Sequence, residues 1–269
     1  MSGSVRSLAP EPAAGLHIEA LSFAYGTRAV LSGVTAAPLV PGSLTALIGP
    51  NASGKSTLFR LIAGLLKPAS GTVRLGGEDL AHRSVRQRLK RVCFMPQFFA
   101  TNAALTVFDV VAMAHKQLEG WRITDEDMTA VGHALHDAGS GHLADAYVGE
   151  LSGGQSQMVS VAQANVRRCE VYLFDEPTSA LDLKHQLDVL SRIGSAMRAR
   201  GAIGIIALHD LTLAARFAEY ALLLGGGTIR AEGPVHAVLR DPEISAVYGV
   251  EIELTNGPRE EIIVHAYAH

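Results

Sequence analysis

The chain has 269 residues, 48% of them hydrophobic and 18% charged, with a formal net charge of −3 at pH 7. That balance belongs to a folded globular protein and excludes a disordered one, and it supplies no broad basic field for a nucleic acid. The length fits a single domain carrying an inserted subdomain. No run approaches the roughly 18 apolar residues that span a bilayer. Residues 1–15 carry Ser, Pro, Gly and Ala without the apolar core of a signal peptide, so they read as a disordered lead-in and the chain is expected to stay in the cytosol. The two cysteines, Cys93 and Cys169, each sit in an apolar segment; they exclude a disulfide scaffold and read as buried reduced thiols.

Along the chain, strands and helices alternate. His17–Phe23 and Ala29–Leu31 read as strands of a small β region, and Leu44–Ile48 as a buried parallel strand ending at Gly49. A helix fits Lys55–Leu66, with Leu58, Leu61, Ile62 and Leu65 on one face and Lys67-Pro68 as its stop. Thr72–Leu75 and Val92–Met95 follow as strands. From Phe98 to about Glu150 the character becomes helical. Thr106 with Asp109, and Thr124 with Asp127, have the spacing that caps a helix start, and Met128, Val131 and Leu135 recur at helical intervals. Beyond this insertion a helix is expected over Gly153–Arg167, a strand over Val171–Phe174, and a helix over Leu183–Arg200 whose apolar face is Leu183, Leu187, Leu190, Ile193 and Met197. Gly201 is placed to end that helix before the strand Ala202–Leu208. Such an order points to a layered α/β fold.

Gly49-Pro50-Asn51-Ala52-Ser53-Gly54-Lys55-Ser56, followed by Thr57, fits the phosphate-loop pattern, with a strand entering and a helix leaving. Glycines let the backbone amides curl around phosphate oxygens, and the helix start adds its positive dipole end. Lys55 is the cation for the β- and γ-phosphates, and the Ser56 hydroxyl a ligand for Mg²⁺. Val171-Tyr172-Leu173-Phe174-Asp175-Glu176 is an apolar strand ending in carboxylates: Asp175 is expected to hold Mg²⁺ through water, and Glu176 to take a proton from the attacking water.

Leu151-Ser152-Gly153-Gly154-Gln155 matches the LSGGQ signature, and here the chain resembles the ATP-binding cassette (ABC) family over about Gly15 to Leu254. Ser152 is also a natural N-cap before bare glycine amides, which together make an anion site. The resemblance implies a P-loop NTPase core of RecA type with a small antiparallel β region and an inserted α-helical subdomain. It places the ATP-binding domain at residues 16–254, with core parts 16–97 and 156–254, the helical subdomain at about 98–155, and a C-terminal tail at 255–269. It implies a head-to-tail homodimer in which the signature of one copy closes on ATP held by the other. It also assigns Gln97 to the Q-loop that senses Mg²⁺ and the attacking water. Ser179-Ala180-Leu181-Asp182 become the D-loop, His209 the switch histidine at the γ-phosphate, and Tyr25 the aromatic that stacks on adenine.

Ala207–Arg216, Leu181–Gln186 and Val247–Glu251 resemble the importers of iron(III)–siderophores, haem and cobalamin. The implied role is a peripheral ATPase at the cytoplasmic face of the membrane, acting with transmembrane permease subunits and indirectly with a substrate-binding protein. Iron(III)–siderophore or related metal chelates are the expected cargo, with haem, cobalamin, zinc, manganese or oxyanion importers as the alternatives. A cassette serving ribosomes or chromosomes is a further one, although such proteins usually carry two cassettes or a long coiled-coil insertion. Two departures stand out: Ser156 follows the signature where Arg is common, and Ala52 replaces a common Gly, costing strain if its φ is positive. The basic run His82–Arg91 reads as a solvated or partner-facing helix, not a nucleic-acid site. His115, His133, His136 and His142 lack a convincing ligand set and read as surface residues.

Overall fold

The computed structural model describes residues 15–97, 104–116, 120, 122–259 and 261–268. The expected lead-in, apart from Gly15, and the first residues of the expected insertion, 98–103, lie outside the described residues. β1 (Leu16–Tyr25) and β2 (Arg28–Leu39) form an antiparallel hairpin turned at Gly26, whose φ is 57°. Both strands outrun their apolar stretches, because pairing continues to Leu16↔Leu39 and satisfies backbone groups that apolar patterning does not see. Then come β3 (Leu44–Ile48), α1 (Lys55–Ile62), β4 (Ser70–Leu75), β5 (Glu78–Asp79), α2 (Val85–Arg91) and β6 (Val92–Met95).

Helix α1 stops short of Leu66. Gly64 takes φ 73°, the helix gives out at Ala63, and Leu65 is left 49% exposed and not on the buried face. The helical stretch holds α3 (Val107–Lys116) and α4 (Asp125–Asp137), each opened by its expected cap. At the first, the Thr106 hydroxyl donates to Asp109 at 2.7 Å while the Asp109 amide donates back to Thr106 at 3.1 Å. Thr124 and Asp127 form the same reciprocal box. Helix α4 buries Val131, Ala134 and Leu135, whereas Met128 lies at the edge of that stripe and is 46% exposed.

The second half runs α5 (Gly153–Asn165), β7 (Val171–Asp175), α6 (Leu183–Arg200), β8 (Ile203–Ala207), α7 (Leu211–Phe217), β9 (Tyr220–Gly225), β10 (Thr228–Pro234), α8 (Val235–Arg240), α9 (Glu243–Tyr248), β11 (Glu251–Asn256) and β12 (Ile262–Tyr267). Gly201, at φ 59°, caps α6 as expected. Leu183 is 69% exposed, because the buried stripe of α6 runs through Val189, Leu190, Ile193 and Met197 while the first turn overhangs it. The stretch expected as a tail folds into the β11–β12 hairpin, and the Val264 amide donates to the Thr212 hydroxyl on α7 at 3.1 Å.

Strand order in the larger sheet is β10-β9-β3-β8-β7-β6, parallel from β9 to β6 with β10 antiparallel at one edge. β1, β2, β4 and β5 form the smaller antiparallel sheet. Every residue of β3, β7 and β8 is buried, as covering both faces demands. Leu47 packs with Leu16, Leu31, Phe59 and Ile62 on one side, while Ala46 and Ile48 pack with Val107, Leu190 and Leu223 on the other. With both faces filled, the carboxyl ends of β3, β7 and β8 are the place left for a ligand.

Strand β7 is tied down at its start. The buried Tyr172 hydroxyl donates to the Arg167 carbonyl at 2.6 Å and accepts from the Cys169 amide at 3.0 Å and Arg200 at 2.9 Å. Tyr172→Phe leaves the Cys169 amide without its acceptor and removes the bonds to Arg167 and Arg200, and is expected to lower stability by about 1–3 kcal/mol, read as a shift in a urea unfolding midpoint. A midpoint equal to the parent's would show that this anchor does not hold β7.

Candidate active site

Strand β3 delivers the chain to Gly49, whose φ of 148° only glycine adopts comfortably, and a Cβ there would lie 2.2 Å from the Leu224 carbonyl oxygen. The loop then turns through Ala52 at φ 61°. The strain anticipated for an alanine in place of glycine is therefore present. Gly54, at φ 108°, precedes α1 and no side chain caps that helix, so its first amides remain available to an anion. Lys55 is buried, and its Nζ donates to the carbonyls of Gly49 at 2.7 Å and Pro50 at 2.9 Å. Burial pulls its pKa below the ordinary lysine value, and the carboxylates of Glu176 and Asp175 oppose that shift. The Ser53 hydroxyl is buried with no hydrogen-bond partner.

At the carboxyl end of β7, Asp175 is buried and burial raises its carboxyl above the usual range, while a hydrogen bond from Ser56 pulls the other way. Its Oδ1 has no partner, which is costly unless a cation or donor answers it. Glu176 adopts φ 52°, a left-handed conformation rare for a non-glycine residue and typical of strained functional positions. That turn aims its carboxylate at two residues from other elements. Gln97 Nε2, just past β6, donates to Glu176 Oε2 at 2.5 Å, and His209 Nε2, just past β8, bonds Glu176 Oε1. Four adjacent strand ends thus bring Lys55, Asp175, Glu176, Gln97 and His209 together.

Ser152 caps α5 with a reciprocal box to Gln155, and Ser152 and Gly153 are exposed. A Cβ on Gly154 would come within 3.1 Å of the Ala180 carbonyl, so the helix tip lies against the Ser179–Asp182 turn. Asp182 in turn caps α6. Leu151 and Leu181 pack from the rim onto the core. Ser156, where Arg is common, accepts the Ser160 hydroxyl through its carbonyl at 2.9 Å. Tyr25 sits apart on β1, 46% exposed and edge-on to Phe23 at 4.8 Å between ring centres.

Two residues escaped the sequence reading. Buried Gln157 donates to the Glu176 carbonyl at 2.7 Å and accepts from the Ala180 amide at 3.2 Å, bridging the end of β7 to the Ser179–Asp182 turn. Its one sequence signal is a polar group on the helix face of Val161 and Ala164. Tyr248, at the end of α9, accepts the Gly49 amide at 2.8 Å across 199 residues of sequence. Nothing local in the sequence announces that contact.

Arg91, closing the basic run, pairs with Glu78 at 2.9 Å and Glu170 at 2.5 Å. His115 bonds Asp127 at 3.1 Å, and among the described residues no group of three or more His, Cys, Asp or Glu is placed for a metal ion. Cys93 is buried, Cys169 is partly exposed, and both are free thiols. Among the described residues, no helix is long and apolar enough to cross a membrane.

Known proteins are similar to this chain. The family model described as ABC transporter matches residues 36–179. The chain is 35% identical over 252 residues to the ferric enterobactin transport ATP-binding protein of Escherichia coli K12, covering 92% of each chain. It is 37% identical over 238 residues to the hemin import ATP-binding protein of Rhodopseudomonas palustris HaA2, covering 86% of this chain and 88% of that one. An ATP-binding cassette of an ABC transporter, solved in its ADP conformation, superposes with a TM-score of 0.75 at 25% identity, covering 88% of this chain and 99% of that chain. With a phosphate loop on β3, paired acids on β7 and this likeness along nearly its whole length, the chain belongs to the ABC transporter family, as an ATP-binding subunit that hydrolyses ATP.

Proposed function

We propose that this chain powers a membrane importer of iron(III) chelates, siderophore-bound or haem, as a peripheral subunit beneath permease partners. The observation that carries the cargo class is the likeness over about nine-tenths of the chain to proteins named for ferric enterobactin transport and hemin import. On this reading residues 16–254 are one ATP-binding domain, with about 98–155 as its helical insert.

Within the site, the amides of Gly49–Thr57 receive the phosphates, and Lys55 exchanges the Gly49 and Pro50 carbonyls for phosphate oxygens. Tyr25, exposed on β1, offers its ring to the adenine. A divalent cation fits the donor set: Asp175 Oδ1 is buried and unpartnered, the Ser56 hydroxyl adjoins it, and Gln97 retains its amide oxygen. Mg²⁺, when bound by Ser56, Gln97 and Asp175, supplies charge neutralisation at the phosphates. Glu176 takes the proton of the attacking water. Its carboxylate is held by Gln97 and His209, so those two residues fix the lone pairs that face the incoming nucleophile. His209 is then the group positioned to contact the γ-phosphate.

Closure requires a second copy. Ser152 and Gly153 are exposed at the start of α5, where the positive end of the helix dipole suits an anion held by another chain. A head-to-tail homodimer places that tip over the partner's triphosphate, with Ser179–Asp182 at the seam. ATP binding closes the pair, closure moves the permeases, and hydrolysis reopens it.

Glu176→Gln is expected to bind ATP at parental affinity but to lower turnover by roughly two to four orders of magnitude, measured as phosphate release; near-parental turnover would remove Glu176 from the base role. Ser152→Asp keeps the helix cap but sets a carboxylate against the bound phosphate. Mixed with Lys55→Ala, it should regain activity that neither variant has alone, whereas sites complete within one chain would show no recovery. For cargo, deletion of this chain from its host should abolish uptake of iron-55 presented as a ferric siderophore or as haem. Undiminished uptake of both would refute the iron-chelate assignment.

A further inference from the structure

We infer that Tyr248 is a positioning residue for nucleotide binding, its phenolic oxygen holding the first peptide of the phosphate loop in the geometry that receives a triphosphate. Strand β3 runs out of neighbours before the loop begins. Its register with β8 ends at Leu47↔Ala207, and with β9 at Ile48↔Leu223. The Gly49 amide therefore has no strand carbonyl to meet, and Tyr248 supplies the acceptor at 2.8 Å. The other polar group of Gly49, its carbonyl, accepts from Lys55 at 2.7 Å. Both backbone polar groups of Gly49 are thus fixed by side chains, and only one of those contacts can stay during function. On the proposed reading, Lys55 turns from the Gly49 carbonyl to phosphate oxygens, leaving Tyr248 as the contact that persists.

The helix that carries Tyr248 is itself held from several directions. Helix α9 begins with Glu243 paired to Arg230 at 2.8 Å and ends at Gly249, whose φ is 68°. Val247, next to Tyr248, packs so closely on Gly225 that a Cβ there would lie 2.7 Å from its methyl group. Beyond the helix, the Ile252 amide donates to the Ser245 hydroxyl at 3.2 Å, fastening α9 to the C-terminal hairpin. Burial pushes the Tyr248 pKa up to about 12, so at neutral pH the hydroxyl stays protonated and accepts as a neutral oxygen. The C-terminal segment thereby reaches the site from one side through Tyr248. From the other, β12 bonds Thr212, three residues past His209.

Because this inference rests on the phosphate-loop reading, the test carries a control for it. Tyr248→Phe keeps the ring and deletes only the oxygen. In the purified full chain, Kd for a fluorescent ATP analogue and KM for ATP should each rise about three- to tenfold, the value of one lost hydrogen bond. The kcat should stay near the parent's, and the melting temperature without nucleotide should fall only by the value of one lost hydrogen bond. Lys55→Ala, measured alongside, should lose affinity far more severely. If Lys55→Ala loses affinity while Tyr248→Phe binds like the parent, the role of Tyr248 is refuted and the phosphate-loop reading stands. If Lys55→Ala also binds like the parent, that reading fails and this inference fails with it. A Tyr248→Phe chain with lowered kcat and melting temperature but unchanged KM would mark the tyrosine as a packing residue only.

Discussion

A triphosphate brings several negative charges to one place, and a protein can accept them cheaply only where its amides are already aimed. In this chain that requirement concentrates on a single peptide, at Gly49. Its φ of 148° and the Leu224 carbonyl 2.2 Å from where a side chain would start leave room for glycine alone. Tyr248 accepts the Gly49 amide and Lys55 donates to the Gly49 carbonyl. A loop free to sample other conformations would have to be ordered by its ligand, and that entropy would be subtracted from affinity.

Strain and charge are distributed to match. Ala52 and Glu176 both occupy left-handed backbone, one in the phosphate loop and one at the end of β7. Such conformations persist where surrounding contacts over-determine them. For Glu176 those contacts are named: Gln97 and His209 at the carboxylate, Gln157 at the carbonyl. The buried Lys55 and Asp175 are displaced in opposite directions, the ammonium towards losing its proton and the carboxyl towards keeping one. Burial drives both shifts, and each group gains its charged form when the opposite charge comes near. On the proposed reading, bound nucleotide and cation supply those charges.

The architecture links this site to distant segments through few contacts. Gln157 joins α5 to Glu176 and to Ala180, tying that helix to the end of β7. The C-terminal hairpin leans on α7 at Thr212, and α9 beside it reaches the phosphate loop. In the proposed dimer, the exposed Ser152–Gly154 tip and the turn it touches share one seam, which suits a site whose completion reports on the presence of a partner.

By itself the sequence determined the phosphate loop, the acids after β7 and the signature cap, because each is local chemistry: glycines for positive φ, a carboxylate at a strand end, a serine before bare amides. It also determined β3, β6 and α6 to the residue, and the two Thr–Asp caps of the helical stretch. Strand ends and overhanging turns escaped it, since β1, β2 and Leu183 depend on what lies opposite and not on their own pattern. Only the tertiary structure decided that Gln97 and His209 meet on Glu176, that Ala52 is strained, that Gln157 bridges two loops and that Tyr248 anchors Gly49. Those contacts join residues brought together by sheet order and helix packing, and a hydrogen bond spanning 199 positions leaves no periodic trace along a chain.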